Sequence, residues 1–442
     1  MSQSQNLDGR VIIAAPSSGS GKTLITLALL RLLARMGVQV SPVKLGPDYI
    51  DPAFHSVACG KPSVNIDPWA MPPSLQTALL PSGLCVAEAM MGLFDGAADG
   101  SGSAADFACA HGVPVLLVVD CASMGHSVAA IAHGFATHRP GVEVTGIILN
   151  RVGSDRHEAM LRDALATLAL PVVAAMRRDE KLTLPSRHLG LVQAQEATNL
   201  DGFLDYAADQ LAKTLNFEAL AEMIADANLE AEVRQPATPM TPLPPPGQRI
   251  AIARDEAFAF FYPHFAQTWQ AAGASLHFFS PLADEPPPQG CDVVLLPGGY
   301  PELHASRLSA SKTFHVALRK IAQHTPIYGE CGGYMVLGQG LVDAHGERHA
   351  MSGLLPVETS FEARKLHLGY RQGMVAAHSP VWPGLTFRGH EFHYSQQLSA
   401  ASGQAFVTGV SDATGREIGA LGATAGLVTG SYLHLICEAA NG

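Results

Sequence analysis

The stretch Arg10 to Met36, RVIIAAPSSGSGKTLITLALLRLLARM, constrains this chain more than any other. Val11 to Ala14 is a short apolar run with β-branched residues and reads as a buried strand. Pro16 to Gly21 is a turn-rich loop. From Lys22 onward the apolar residues Leu24, Leu27, Ala28, Leu30 and Leu32 fall at helical spacing. A strand, a glycine loop and a helix in that order form a phosphate-binding site. Gly19 and Gly21 let backbone amides approach phosphate oxygens with no Cβ in the way. The helix N-terminus brings free N–H groups and partial positive charge to the same point. Lys22 can reach terminal phosphates, and the Thr23 hydroxyl can ligate magnesium. The run Ser18, Gly19, Ser20, Gly21, Lys22, Thr23 is therefore the expected nucleotide-binding set. The G-x-x-x-x-G-K-[ST] pattern wants glycine where Pro16 stands, but its G-S-G-K-T core is intact. The competing reading is a Gly/Ser turn before an ordinary helix.

A chain of 442 residues has room for about two or three domains. Its 47% hydrophobic and 15% charged content suits globular domains with large cores. A net charge of −11 argues against a nucleic-acid protein relying on a basic face. No apolar run has the length of a membrane span, and residues 1–9 lack a basic-then-apolar signal pattern. The 7 cysteines are scattered and form no C-x-x-C pair, which disfavours a disulfide framework or zinc site and fits a reducing cytoplasm.

Further apolar strands are expected at Val38 to Leu45, Leu84 to Ala89, Pro114 to Asp120, Val142 to Leu149 and Pro171 to Met176. Their two-sided hydrophobicity predicts a parallel sheet covered by helices on both faces. Lys44 ends the first of these strands and runs into GPDYIDPAFH, where Asp48 and Asp51 sit in a Gly/Pro-rich loop. That loop reads either as a ligand-contacting segment or as a solvated turn. Glu88 ends a buried strand and leads into AMMGLFDG, the usual place of a magnesium ligand beside a phosphate loop. Asn150 follows its strand directly; its amide suits an adenine edge or a turn cap. Basic residues follow at Arg177, Arg178, Arg187 and His188, and then helices at about 199–214 and 216–229. Residues 232–248, EVRQPATPMTPLPPPGQ, carry six prolines without apolar periodicity and read as a stiff linker. The expected organisation is a first domain over 1–231, this linker, and a second α/β domain over 249–442.

In the second domain PIYGECGGYMVL, Pro326 to Leu337, runs a strand into G-x-C-G-G with a helix behind it. This is the nucleophile-elbow arrangement with Cys331 as the nucleophile. The helix N-terminus is expected to lower the thiol pKa. The Gly332 amide can donate to a tetrahedral oxyanion, and Gly298 and Gly299 offer a second donor. His434, near the end of the chain in GSYLHL, supplies a base. A buried structural cysteine and a satisfied histidine are the alternative.

The stretches around Cys331 and His434 resemble class I glutamine amidotransferase domains, which release ammonia from glutamine through a thiolate. In most of these the histidine is followed two residues later by an orienting glutamate. Here that position is Ile436, and Glu438 is poorly placed to substitute. The N-terminal half resembles the dethiobiotin-synthetase-type P-loop fold. APSSGSGKT, GPDYIDPAFH, MMGLFDG and RGHEFHYS (388–395) together resemble the cobyrinic and hydrogenobyrinic acid a,c-diamide synthases over nearly the whole chain. The resemblance implies two α/β domains, each a mostly parallel sheet covered by helices. It implies ATP on the P-loop, Mg²⁺ held by Thr23, Asp48 and Glu88, and phosphate charge neutralised by Lys22 and Lys44. It also implies a corrinoid polycarboxylate as acceptor, with Asp48, Tyr49 and Ile50 toward the corrin edge. Catalysis would rest on Cys331 and His434 with Gly299 and Gly332 as oxyanion donors. In GHEFHYS, strand alternation puts Glu391 and His393 on one face and His390, Phe392 and Tyr394 on the other. That segment lines an ammonia path or glutamine pocket, or is plain structure. A homodimer is left open. Two other functions compete: a sister amidotransferase on another tetrapyrrole such as nickel-sirohydrochlorin, and a P-loop switch ATPase with a regulatory domain.

Overall fold

Seven apolar runs of the N-terminal half pair as parallel strands: β1 (Arg10–Ala14), β2 (Val40–Leu45), β3 (Val64–Ile66), β4 (Leu84–Glu88), β5 (Val115–Asp120), β6 (Val144–Val152) and β7 (Val172–Arg177). Their order is β3-β2-β4-β1-β5-β6-β7. The computed structural model describes residues 8–183, 199–226, 243–398 and 403–439. Arg187, His188 and most of the proline-rich run lie outside these. The described chain divides into two units, Met1–Met240 and Thr241–Gly442.

In the first unit β1, β4 and β5 are covered on both faces, which explains why their sequences are continuously apolar rather than alternating. Helix α1 (Lys22–Arg35) follows the phosphate loop and buries Ile25, Leu27, Ala28, Leu29, Leu30 and Leu33. Its outer edge carries Arg31, 2.8 Å from Asp205 on the helix Leu200–Ala212. The loop expected over residues 46–55 is shorter than the sequence suggests, because helix α2 (Asp51–Cys59) begins within it. Pro52 stands in the first turn, where no amide hydrogen is missed. Asp48 supplies the turn before it: Oδ1 accepts from the Ile50 and Asp51 amides at 2.8 and 3.0 Å. Ser154 caps the helix Asp155–Leu165, its side chain accepting from the His157 amide.

The second unit holds β8 (Arg249–Ala253), β9 (Ser275–Phe279), β10 (Val293–Leu296) and β11 (Ile327–Glu330). These lie in one six-stranded sheet with Val428–Ser431 and Ala423–Ala425, parallel except for the last pair. A separate five-stranded antiparallel sheet contains His367–Val375, Thr386–His393 and Leu433–Glu438. Sequence alone shows little of this sheet, because bulges at Arg388/Gly389 and Gln372/Met374 break the period-2 pattern. The indole N–H groups of Trp269 and Trp382 donate to the carbonyls of Leu243 and Pro244 at 2.9 and 2.8 Å, fastening the end of the proline-rich run to this unit. Among the described residues no helix is long and apolar enough to cross a membrane.

The two sides of α1 differ in kind. Leu30 is fully buried, so Leu30→Ala should cost about 2–5 kcal/mol. Arg31 pairs with half-exposed acids, so Arg31→Met should cost about 0–1 kcal/mol. Urea unfolding of the two variants measures the difference; equal losses would contradict this division.

Candidate functional site

The chain turns sharply between β11 and the short helix Gly332–Leu337, and Cys331 occupies the turn at φ 49°, ψ −104°. A non-glycine residue held there costs on the order of 1–3 kcal/mol and persists only where its surroundings dictate it. The Cys331 amide donates to the Ser431 carbonyl at 2.8 Å. Behind the turn there is no room for a side chain: a Cβ on Gly333 would stand 1.8 Å from the Leu296 carbonyl oxygen. A Cβ on Gly332 would stand 3.1 Å from the Gly299 nitrogen, so the two expected oxyanion donors are neighbours. A Cβ on Gly298 would lie 2.7 Å from His434 Cε1 and 3.3 Å from Cys331 Cβ. Nucleophile and base therefore meet over this glycine.

His434 lies on the strand Leu433–Glu438, opposite His390, and their rings stack at 4.7 Å. Its Nδ1 lies 3.0 Å from Glu330 Oε1, and the Tyr328 hydroxyl donates to Glu330 Oε2 at 3.1 Å. Glu330 is the partner that sequence reasoning missed, because it precedes the nucleophile instead of following the histidine. Ile436 is buried in the core and Glu438 is exposed. Burial pushes His434 down to about 3 and Glu330 up to about 8. Burial also pushes the Cys331 thiol well above its ordinary value, with Glu330 and Glu302 adding to the effect. This corrects the expectation of a lowered thiol pKa: the amides of a six-residue helix are outweighed by desolvation and two carboxyl groups. Burial thus favours the neutral thiol and the neutral imidazole.

The GHEFHYS strand borders this centre, with Cys331 Sγ 3.7 Å from the Phe392 carbonyl. Glu391 and His393 share a face as expected: Glu391 Oε1 is 3.0 Å from His393 Nε2, and Arg371 donates to Glu391 Oε2 at 2.7 Å.

In the first unit Thr23 Oγ1 donates to Glu88 Oε1 at 2.7 Å and lies 3.4 Å from Asp51 Oδ2. Lys44 Nζ lies 2.9 Å from Glu88, bonds Asp51, and is 3.6 Å from Asp48. His55 holds the other Glu88 oxygen at 2.6 Å. The structure thus brings Asp51 alongside Thr23 and Glu88, where the sequence assigns Asp48; Asp48 is taken up by the α2 turn. The distinction was hidden because both acids sit in one loop-like run. Thr23, Asp51 and Glu88 present hard oxygens at one point, the donor chemistry that magnesium takes. Burial alone would push Lys44 down, but Glu88, Asp51 and Asp48 outweigh it and hold its ammonium charged. Burial would likewise push Glu88 up, and Lys44 and His55 hold it below the ordinary range. Burial and Asp48 push Asp51 up to about 7.

The loop itself is braced from two sides. Lys22 folds back so that Nζ donates to the Ser17 carbonyl at 3.2 Å, and the Leu93 amide of MMGLFDG donates to Ala15 at 2.9 Å. Asn150 Nδ2 donates to the Ser20 carbonyl at 2.8 Å, so its amide supports the loop rather than a turn. Gly21 has φ +92°, and a Cβ there would stand 2.0 Å from Asn150 Nδ2. Ser20 and Lys22 are buried, while Ser18 and Gly19 are exposed. Ile50 packs on the core of the unit, and Tyr49 is half-buried beside it.

The chain is an ATP-dependent ligase that takes its nitrogen from glutamine, as its matches to known proteins show. The model of the CobQ/CobB/MinD/ParA nucleotide binding domain matches residues 11–192, and that of the CobB/CobQ-like glutamine amidotransferase domain matches 249–442. The hydrogenobyrinate a,c-diamide synthase of Rhizobium meliloti (strain 1021) is 52% identical over 96% of this chain and 98% of its own. Its counterparts in a Sinorhizobium species and in Brucella abortus biovar 1 are each 50% identical over the same shares. The chain belongs to the hydrogenobyrinate a,c-diamide synthase family.

Gly21→Ala combines a strained φ with a collision against Asn150. It should weaken ATP binding by at least about tenfold, a change of about 1.4 kcal/mol, while glutamine hydrolysis stays unchanged. Calorimetric titration with ATP checks this; unaltered affinity would show that the loop tolerates a side chain.

Proposed function

We propose that this chain converts the a and c acetate carboxylates of hydrogenobyrinic acid to amides, using ATP and glutamine, in cobalamin biosynthesis. The observation that carries this reading is the near-full-length identity to synthases of that name, with both reactive centres in place.

At the first centre a substrate carboxylate oxygen attacks the γ-phosphorus of ATP, and ADP leaves. Lys22 and Lys44 neutralise phosphate charge, and the loop amides from Ser18 to Thr23 cradle the oxygens. The step depends on positioning and charge rather than covalent help from the protein. Magnesium, held by Thr23 and Glu88 with Asp51 and Asp48 beside them, would add neutralising charge on the phosphates. Asn150 Oδ1 is buried without a partner among the described residues, and we assign it to the adenine side. Tyr49, Ile50 and Asp48 remain our candidates for the corrin edge.

At the second centre Cys331 Sγ attacks the glutamine side-chain carbonyl as His434 accepts its proton. The Gly299 and Gly332 amides take the oxyanion. His434 returns the proton to the departing ammonia, and water then cleaves the glutamyl thioester. Ammonia displaces phosphate from the acyl phosphate to give the amide. Each amide thus consumes one ATP and one glutamine. The cytoplasm, which supplies ATP and keeps thiols reduced, is the proposed compartment; the 7 cysteines, all among the described residues, form no disulfide with one another.

The test is mass spectrometry of hydrogenobyrinic acid incubated with ATP and either glutamine or ammonium, counting carboxyl-to-amide exchanges. Wild type should make two exchanges with either nitrogen source. Cys331→Ala should fail with glutamine and recover with ammonium. Lys22→Ala should fail with both while still hydrolysing glutamine. Full rescue of Lys22→Ala by ammonium would remove the P-loop from the activation step.

A further inference from the structure

We infer that Glu330, the residue immediately before the nucleophile, is the positioning residue that orients His434 for proton transfer. The inference rests on the reading of Cys331 and His434 as nucleophile and base.

An imidazole that must accept a proton at one nitrogen needs a defined partner at the other. The structure supplies one. Glu330 Oε1 is 3.0 Å from His434 Nδ1, and the Glu330 side chain is only 13% exposed. Oε2 accepts from the Tyr328 hydroxyl at 3.1 Å, and the backbone N–H of Leu435 also bonds the carboxyl. These donors come from the strand before the nucleophile and from the strand that carries His434. The carboxyl group is therefore held from both of the elements it connects.

Strand geometry accounts for the arrangement. On β11 side chains alternate, so Tyr328 and Glu330 share a face while Gly329 leaves the other open for the helix behind it. Glu330 lies in register with Ser431, three residues before His434. The histidine is thus delivered to the Glu330 side of the turn.

A cavity of about 20 Å³ beside Glu330 is walled by Phe260, Tyr262, Tyr328, Trp382 and Leu435. That is space for about one water molecule. His390 stacks on the His434 ring with centroids 4.7 Å apart.

The chemical role follows. The Glu330 carboxylate accepts from Nδ1–H, which places the ring's lone pair on Nε2 to take the Cys331 proton. Once His434 is protonated, the same carboxylate offsets the cation. Burial raises Glu330 to about 8, so the carboxyl group is protonated and unproductive below that pH and ionised above it. Glutamine hydrolysis should accordingly gain activity as pH rises through that region. Tyr328, His434 and the Cys331 thiol are the titratable groups that face it.

The experiment compares glutamine hydrolysis and ammonium-dependent amidation in wild type, Glu330→Gln, Glu330→Asp, Tyr328→Phe and Cys331→Ala. Glu330→Gln should lower kcat for glutamine about 10–100-fold, leave its KM within about twofold, and flatten the alkaline rise. Its amidation with ammonium should stay at the wild-type level. Glu330→Asp should recover part of kcat. If Glu330→Gln does not fold, Tyr328→Phe should still lower kcat several-fold without changing KM. Wild-type kcat in a folded Glu330→Gln, or in Tyr328→Phe where that variant must stand in, overturns the inference. So does joint loss of both activities, which would make the contact a support of the fold. Cys331→Ala separates the two claims: if it still hydrolyses glutamine, the nucleophile assignment falls; if it does not and Glu330→Gln is normal, only the role of Glu330 falls.

Discussion

Both reactive centres depend on backbone packed so closely at the end of a strand that no side chain fits. At the phosphate loop the absent Cβ of Gly21 leaves the space that Asn150 Nδ2 fills, and the amide then braces the Ser20 carbonyl. At the sulfur centre the absent Cβ of Gly333 lets the helix start against the Leu296 carbonyl, which forces Cys331 into its strained turn. In each case the missing Cβ leaves backbone amides open to close approach. The strain at Cys331 is held by its amide bond to Ser431 and by the glycines around it.

The centres differ in how they manage buried charge. Around Glu88 the protein pairs its buried charge: Lys44 bonds Glu88 and Asp51, and His55 holds the second Glu88 oxygen. That suits a site meant for phosphates, where fixed charge must already be in place when substrate arrives. Around Cys331 burial favours the neutral thiol and the neutral imidazole. Ammonia has to be released as the free base, so a dry pocket of low charge suits the second half-reaction as well as a charged one suits the first.

Much of this was legible in the sequence, for identifiable reasons. β1, β4 and β5 are buried on both faces, so their composition announces them. G-S-G-K-T and G-E-C-G-G are legible because glycine has few other reasons to recur at that spacing. What stayed hidden depends on side-chain direction or on distant pairing. Asp48 and Asp51 are three residues apart, and only the start of α2 decides which one faces Thr23. Glu330 sits beside Cys331 in the chain, yet its side chain belongs to His434, more than a hundred residues away. The antiparallel sheet was obscured by bulges. The thiol pKa was misjudged because a helix N-terminus is visible in sequence and desolvation is not.

The central claim is that a substrate carboxylate is phosphorylated at the P-loop and then captured by ammonia released at Cys331. Isotope transfer tests it most directly. Hydrogenobyrinic acid labelled with ¹⁸O in its carboxylates would be turned over by the wild-type enzyme with ATP and amide-¹⁵N glutamine. The account predicts one ¹⁸O in the inorganic phosphate and one ¹⁵N in the product for every amide formed. Phosphate free of ¹⁸O would contradict it, because the carboxylate would then never have been joined to phosphorus.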